Sequence, residues 1–581
     1  MPSRGRPRRR ISARTPPLEG PETLAERARE LVIAGEHKAA LKLLKPARQR
    51  FPRDAVLALR EGDALQFDRR FTKAIKAYET ALDLDDSLVD AWYGMGAAHL
   101  TLRRYGAARA DLAQAVARAP DRAAARYNLA QVLFELGCVE EAVAHFRLVR
   151  QCEIPELAKL AQESLACVIP GAASADHADV LAERRRYLDA VPASGPFSPK
   201  PAPPAERRLK IGYISAFFGR ANWMKPVFGA INRHDRDRVQ IHMISDADPP
   251  SAAAGYRDWP DDHVHDVRGA SNDRLTEIIR GLGLDVLVDL NGYSSMRRMP
   301  LMAQRLAPVM LGWFNYFATS GSGQMDALLG DAAVFGDATE GAGYVERRIA
   351  LPGSYLAFDV AYPVPDVAPP PCTQGDPVTF GCLGSQYKLD DAVLMSWAKI
   401  LARAPHARLF IKNATLDDGT TRVELKQRLR ALGVEPKRVS LEGPDDHFDF
   451  LAAYANVDIA LDTFPYNGGT TTTEALWQGV PVLTFDGDRW AGRTSKSILL
   501  AAGLADWVAP GLYGYVRRAI ELANNPSTPA RLALLRDGLR EQLRASAACD
   551  VAGLARALEA VYEAEVTAAA GRQPAGRSRL P

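Results

Sequence analysis

The sequence predicts an α-helical repeat array followed by two α/β domains, each built on a parallel sheet. Three observations predict this class. Residue types recur every 34 positions over the first third of the chain. Two later segments each alternate short apolar runs with helical patterns, as parallel sheets covered by helices do. Proline-rich stretches at 192–204 and 366–372 separate the three parts.

The composition is that of an ordinary globular protein. Of 581 residues, 47% are hydrophobic and 25% charged, with a net charge of +3. The near-neutral charge predicts no general nucleic-acid partner, and the lack of an apolar run of about 18 residues predicts no membrane span. The six cysteines are scattered without a C-x-x-C pair, which suits a reducing compartment. We therefore expect a cytoplasmic protein.

The 34-residue period is carried by small residues at fixed places. Counted from position 21, the eighth place holds Ala28, Gly62, Gly96 and Ala130. The twentieth place holds Ala40, Ala74, Ala108 and Ala142. Small side chains there let two antiparallel helices approach closely, which is the pattern of tetratricopeptide repeats. We predict eight helices over 21–155 in a superhelix whose concave face binds a protein or peptide. A spacer without ligand is the alternative.

Composition shifts divide the chain into six predicted segments. They are a disordered basic tail (1–20), repeats with capping helices (21–190), a proline-rich linker (191–206), a first α/β half (207–372), a second α/β half (373–566) and a disordered tail (567–581). The arginines of the first tail indicate a solvated segment rather than a nucleic-acid arm.

A glycine-rich loop after the predicted strand Ile459–Leu461 is the first candidate site. The loop and the start of the following helix contain Asn467, Gly468, Gly469, Thr470, Thr471 and Glu474. Glycine lets backbone N–H groups approach a ligand, and the helix N-terminus favours an anion such as a diphosphate. Glu474, one turn further, is placed to accept hydrogen bonds from ribose hydroxyls. A glycine-rich turn with a threonine cap is the alternative interpretation.

A second loop follows the first strand of the second half. It reads Gly384-Ser-Gln-Tyr-Lys-Leu-Asp390 and contains Tyr387 and Lys388. A lysine at the carboxyl end of a strand can neutralise charge that builds on a leaving nucleotide. Alone, such a lysine would more often be an ordinary surface residue.

These stretches resemble the O-linked N-acetylglucosamine transferase family, including its SPINDLY-like members. The string from Asp458 to Thr484 is similar to the family's donor-binding stretch, and the Tyr-Lys loop is similar to its diphosphate loop. The resemblance covers about residues 22–565. It implies a GT-B-type pair of Rossmann-like domains. It also implies a metal-independent, inverting transfer of N-acetylglucosamine from UDP-N-acetylglucosamine to Ser or Thr hydroxyls, with no cofactor beyond the nucleotide-sugar substrate.

The resemblance also implies individual roles. Lys388 is the catalytic candidate, acting on the leaving diphosphate, while Tyr387 and Arg493 join the donor-binding residues. Asn128 falls at the sixth repeat place, where the family often holds a peptide with asparagine. The acceptor-side candidates Thr319 and Ser320 lie in Ala318-Thr-Ser-Gly321, which follows the family's order.

Two family histidines are missing. Ala221 and Phe450 fall where the family often has histidine, and His447, one helical turn before Phe450, is the candidate substitute for the second. The general base stays unassigned. We predict no metal site. Asp246-Ala-Asp248 resembles the metal-binding Asp-x-Asp motif of the other glycosyltransferase fold, but in this architecture it indicates a solvated loop. No further ligand accompanies His263 and His265.

Other functions stay open at this point. The donor could carry another sugar, such as fucose on guanosine diphosphate or glucose. The acceptor could be a glycan or an asparagine. A non-catalytic peptide-binding adaptor with a relic sugar fold is a further alternative, although the joint presence of Lys388, Asn467 and Glu474 argues against it.

Overall fold

The computed structural model describes residues 19–192, 195, 197, 207–337, 341 and 343–571. It divides into two compact units, one up to Asn128 and one from Leu129 onward. Most of the predicted basic tail and linker lie outside the described residues. The predicted tail at 567–581 begins too early, because the last helix continues to Gly571 and only the residues beyond it are not described.

The predicted repeats form helices in pairs. They are α1 (Pro21–Ile33), α2 (His37–Arg50), α3 (Ala55–Phe67), α4 (Phe71–Leu84), α5 (Val89–Thr101), α6 (Tyr105–Arg118), α7 (Ala123–Glu135) and α8 (Val139–Val149). Ala40, Ala74 and Ala108 are fully buried. A Cβ on Gly62 would lie 2.5 Å from the Tyr78 ring, so only glycine allows this helix approach. The prediction of eight helices over 21–155 is confirmed.

Two further helices follow the repeats, α9 (Pro155–Val168) and α10 (His177–Asp189). They lie where capping helices were predicted. Asp176 caps α10 through a capping box with Asp179, which satisfies backbone N–H groups that the helix leaves unpaired. The Arg184 guanidinium is buried and donates from α10 to the backbone carbonyl of Thr319 in the first α/β half.

The first α/β half contains a seven-stranded parallel sheet. Its strands are β1 (Leu209–Ser215), β2 (Val239–Ser245), β3 (His263–Asp266), β4 (Val286–Asp289), β5 (Val309–Gly312), β6 (Ala327–Asp331) and β7 (Arg347–Leu351), with helices α11 (Ala221–Ile231), α12 (Asn272–Leu282) and α13 (Ala332–Phe335). The strand order is β3-β2-β1-β4-β5-β6-β7. All strands run parallel, but the side on which successive strands are added changes at β1, which lies between β2 and β4.

The second half repeats this plan with six parallel strands. They are β8 (Thr379–Cys382), β9 (Arg408–Lys412), β10 (Val439–Glu442), β11 (Ile459–Leu461), β12 (Val482–Phe485) and β13 (Val508–Ala509), in the order β10-β9-β8-β11-β12-β13. The helices are α14 (Asp391–Arg403), α15 (Gly419–Ala431), α16 (His447–Ala452), α17 (Thr470–Trp477), α18 (Thr494–Ala501), α19 (Leu512–Asn524), α20 (Thr528–Arg544) and α21 (Val551–Gly571). The predicted class of a tetratricopeptide array followed by two Rossmann-like domains is confirmed.

Helix α21 returns to the first half. The Tyr562 hydroxyl lies 2.7 Å from that of Tyr213 on β1, and Glu559 accepts a 2.9 Å hydrogen bond from the backbone N–H of Asp235. The carboxyl-terminal helix therefore ties the two halves together. Among the described residues, no helix is long and apolar enough to cross a membrane.

Candidate active site

A cleft of about 570 Å³ lies between the two α/β halves. The first half contributes Trp223, Asn315 and Phe317 to its lining. The second half contributes the loops that follow β8 and β11, which flank the point where its strand order reverses. Ligands of doubly wound sheets bind at this place, outside the carboxyl ends of the strands. The predicted site residues that line the cleft are Tyr387, Lys388, His447, Asn467, Gly469, Thr470, Thr471 and Glu474.

The buried carboxylate of Asp462 shapes the glycine-rich loop after β11. One oxygen accepts from the backbone N–H of Gly468 at 2.9 Å and from that of Thr463 at 3.0 Å. The other accepts from the Thr484 hydroxyl at 2.7 Å. Sequence reasoning did not single out Asp462, although its place directly after a buried strand was a usable signal.

The two glycines of this loop differ in the space that surrounds them. A Cβ on Gly468 would lie 2.5 Å from the Thr472 hydroxyl, so a side chain there would displace that hydroxyl from its 2.7 Å contact with Ser495. A Cβ on Gly469 would be 3.5 Å from its nearest neighbour, an ordinary contact. Gly469 lines the cleft and precedes the first turn of α17, whose N–H groups are available to an anion.

Lys388 joins the two loops. It ends a short 3₁₀ turn (Gln386–Lys388), and its ammonium donates a 2.6 Å hydrogen bond to the backbone carbonyl of Asn467. Burial lowers the pKa of Lys388 to about 8, and the charge of Asp462 opposes that shift. A partly desolvated ammonium beside a helix N-terminus makes this end of the cleft suited to a diphosphate.

Tyr387 is held between two aromatic rings. It stacks on Phe134 of α7, with ring centroids 5.3 Å apart, and meets the edge of Tyr466 at 6.1 Å. Arg428 donates a 2.7 Å hydrogen bond to the carbonyl of Leu136, and a Cβ on Gly137 would collide with the Leu389 carbonyl. The end of the repeat array is therefore packed directly on the Lys388 loop.

Glu474 is buried on α17 beside a lysine that sequence reasoning missed. Its Oε1 lies 3.6 Å from Nζ of Lys225 on α11 and 3.8 Å from Nε2 of His447. Burial raises the pKa of Glu474 to about 7, against the pull of the Lys225 charge. Lys225 lies four residues, about one helical turn, after Ala221, and this spacing was the signal available in the sequence.

Five predicted residues are placed away from the cleft lining: Gly468, which lies in the glycine-rich loop described above, and Arg493, Thr319, Ser320 and Asn128. The guanidinium of Arg493 contacts the Gly487 carbonyl at 2.7 Å and Asp486 at 3.2 Å. Thr319 and Ser320 are buried, and both are bonded to the carboxylate of Glu346 at 2.7 Å, the latter through its backbone N–H. Asn128 is half-buried on α7 at the end of the first compact unit.

Asp246 was predicted in a solvated loop, and this prediction is wrong. Its carboxylate is buried and forms an ion pair with the equally buried guanidinium of Arg298. Asp248 is exposed and pairs with Arg268 at 3.0 Å. A buried carboxylate needs such a partner, so the Asp246 side chain is engaged within the first half.

The fold and the site define a class of protein in which a helical repeat array precedes two doubly wound domains that share a ligand cleft. Glycosyl transferase family 41 matches residues 168–367 and 373–556, which is more than half of the chain, and the tetratricopeptide repeat matches 59–111 and 93–153. The chain belongs to glycosyl transferase family 41.

Relatives and a solved structure agree with this membership. A tomato (Solanum lycopersicum) protein named "Probable UDP-N-acetylglucosamine--peptide N-acetylglucosaminyltransferase SPINDLY" is 31% identical over 389 residues, 65% of this chain and 40% of that protein. The protein SEC of Arabidopsis thaliana, with a corresponding name, is 28% identical over 58% of this chain and 35% of its own. The chain thus spans about two fifths of the length of these curated relatives. A mutant of Thermobaculum terrenum O-GlcNAc transferase has a TM-score of 0.72 and 30% identity, covering 89% of this chain and 98% of the other.

Proposed function

We propose that this protein transfers N-acetylglucosamine from UDP-N-acetylglucosamine to Ser or Thr hydroxyls of acceptor proteins. The observation that carries the proposal is the meeting of Lys388 with the Asn467 loop at the opening of α17. Family membership and the names of the relatives support the donor and the acceptor type. The repeat array is the proposed docking surface for the acceptor.

The site suits a reaction in which negative charge appears on a diphosphate. The bond between the anomeric carbon and the diphosphate oxygen breaks, and the electron pair leaves with the nucleotide. The acceptor hydroxyl oxygen forms the new bond from the opposite face, which inverts the configuration, and its proton passes to a general base. Lys388 and the first N–H groups of α17 stabilise the leaving group, because they are already oriented before charge develops.

We propose that the reaction needs no metal and no further cofactor. The fixed positive charge of Lys388 and the helix N-terminus supply the neutralisation for which other transferases use a divalent cation. Tyr387, Asn467, Gly468 and Gly469 shape the diphosphate end of the cleft, Thr470 and Thr471 add hydroxyl donors, and Glu474 is the proposed ribose acceptor. His447 lies beside the nucleoside end, and Arg493 holds the Asp486–Gly487 loop that precedes α18.

Calorimetry tests the donor. We expect uridine diphosphate to bind more tightly than guanosine diphosphate, and its affinity to be unchanged in the presence of a chelator. The Gly468→Ala variant should lose this affinity because its Cβ collides within the loop, whereas Gly469→Ala should fold normally. A preference for guanosine diphosphate would indicate another donor, and strict metal dependence would contradict the metal-free proposal.

Labelled sugar transfer tests the acceptor. The full-length chain should incorporate N-acetylglucosamine into Ser- or Thr-containing peptides, and mass spectrometry should find the sugar on hydroxyl oxygen. Incorporation on asparagine, or on a glycan alone, would contradict this acceptor assignment. Nucleotide binding without transfer to any acceptor would support the adaptor alternative instead.

A further inference from the structure

A lysine of the first α/β half reaches into the nucleoside side of the second. The Lys225 side chain is only 10% exposed, and its Nζ lies 3.6 Å from Glu474 and 2.9 Å from Nε2 of His447. The same ammonium lies over the ring of Tyr362, 3.7 Å from its centroid. Three partners from three separate segments thus surround one buried charge.

The protonation states of this cluster follow from its chemistry. An ammonium group only donates hydrogen bonds, so Nε2 of His447 accepts and carries no proton. Burial, followed by the Lys225 charge, lowers the pKa of His447 to about 4, which keeps the ring neutral at neutral pH. Burial raises the pKa of both Tyr362 and Tyr454, so neither phenol adds charge. Burial lowers the pKa of Lys225 to about 8, and Glu474 opposes that shift, so at neutral pH Lys225 is the cation that faces Glu474 in this cluster.

Lys225 approaches Glu474 from behind the large cleft. It lines a small pocket of about 10 Å³ together with Tyr362, Thr470 and Thr473, and Glu474 lines both this pocket and the cleft. Glu474 therefore has one side toward Lys225 and the other toward the space that a nucleoside would occupy.

We propose that Lys225 is a positioning residue that holds the Glu474 carboxylate as the acceptor for the ribose hydroxyls and ties nucleoside binding to contact between the two α/β halves. This inference rests on the proposed function, in which Glu474 binds the ribose. A buried ion pair is seldom more stabilising than well-packed apolar side chains, so a pair of this kind at a ligand cleft is better explained by a role toward the ligand. A cation behind the carboxylate lowers its pKa relative to burial alone and fixes its orientation, which favours the ionised form that makes the stronger hydrogen bonds to hydroxyl groups.

A cycle of ligand and protein changes tests the proposal. Calorimetry on the full chain compares uridine diphosphate with 2′,3′-dideoxyuridine diphosphate, which lacks the ribose hydroxyls. Lys225→Met should weaken uridine diphosphate binding about tenfold or more, because hydrogen bonds to a charged acceptor are lost. The dideoxy nucleotide should bind the wild type and Lys225→Met equally. Lys399→Met, which removes an exposed lysine of α14, should change neither affinity.

The pH profile separates a positioning role from simple packing. Uridine diphosphate affinity should fall as pH falls through the Glu474 pKa, because the carboxylate becomes protonated. Without the nearby cation that pKa rises further, so in Lys225→Met the fall should occur at higher pH. Relative to the dideoxy nucleotide, whose binding shares the titration of Lys388, the uridine diphosphate affinity of Lys225→Met should be regained in alkaline buffer. Lys225→Arg should restore part of the wild-type affinity, since it keeps the charge but not the shape.

Glu474→Gln provides a second route if Lys225→Met folds poorly. It should lose the same discrimination between the two nucleotides, and adding Lys225→Met should cost nothing more, because both changes remove one interaction. Equal losses for the two nucleotides, or full additivity of the two substitutions, would overturn the inference. If Lys225→Met still binds uridine diphosphate more tightly than the dideoxy nucleotide by the wild-type margin, the inference is overturned while the proposed function stands. A wild type that binds neither nucleotide would instead overturn the proposed function together with this inference.

Discussion

The ammonium of Lys388 donates a 2.6 Å hydrogen bond to the backbone carbonyl of Asn467. These residues belong to the loops that follow β8 and β11, two strands that are neighbours in the sheet although they are far apart in sequence. A bound diphosphate would compete with that carbonyl for the ammonium. The hydrogen bond to Asn467 holds the lysine in place before the ligand arrives. The ammonium group then needs little reorganisation when charge develops during the reaction.

Replacing Lys388 should reduce turnover far more than binding. We expect Lys388→Ala to lower turnover by about 10²–10³-fold, because its charge acts mainly when the glycosidic bond breaks. Nucleotide affinity should fall much less. Lys388→Arg should recover only part of the rate, since a planar guanidinium cannot replace a compact ammonium. Single-turnover rates on a peptide acceptor decide this, and an alanine variant with full activity would refute the proposed role.

The reaction should slow in alkaline solution. Burial lowers the pKa of Lys388 to about 8, and in the proposed mechanism the protonated form is the one that stabilises the leaving group. The kcat/KM value, which reports on the free enzyme, should therefore fall as pH rises through about 8. The fall in kcat should lie at higher pH, because a bound diphosphate favours the charged lysine. In Lys388→Arg this alkaline fall should disappear. A flat wild-type profile up to pH 9.5 would contradict the assignment.

The last repeat should influence catalysis through one aromatic contact. Phe134→Ala removes the ring that stacks on Tyr387, the residue next to Lys388. Because such a pair contributes about 0.5–1.5 kcal/mol, turnover should drop about two- to tenfold while the chain stays folded. Phe67→Ala, at an exposed position of α3, serves as the control and should leave the rate unchanged. Identical rates for both variants would show that the stack does not position the lysine.

Thr319 and Ser320 should matter for stability more than for acceptor binding. Both are bonded to the buried carboxylate of Glu346, so Glu346→Ala leaves buried donors without an acceptor. We expect the free energy of unfolding of this half to fall by about 2–4 kcal/mol. Glu277→Ala, which removes an exposed carboxylate paired with Arg274, should change it by less than about 1 kcal/mol. Urea denaturation compares the two, and equal stabilities would contradict the structural role.

The main parts of the fold could be read from short-range patterns. The 34-residue period predicted the helix pairs, because close packing at Ala40, Ala74 and Ala108 requires small side chains. The strand Ile459–Leu461 was predicted at its observed bounds, because a buried parallel strand is a short apolar run. The loops after β8 and β11 were each selected as candidate sites because they follow predicted buried strands. Loops that follow neighbouring parallel strands meet at one edge of the sheet.

The sequence by itself thus determined the class of fold and the two loops, of Lys388 and Asn467, that line one end of the cleft. The tertiary structure alone decided which side chains meet across the two halves. Lys225 and His447 are 222 positions apart. Neither a repeat period nor the secondary-structure propensity of a short segment predicts a contact between residues so far apart. Packing also decided that Thr319 and Ser320 are buried on Glu346 and that Arg493 contacts Asp486. Periodicity describes which face of one element is buried, whereas the partner of a buried charge depends on how separate elements are packed together.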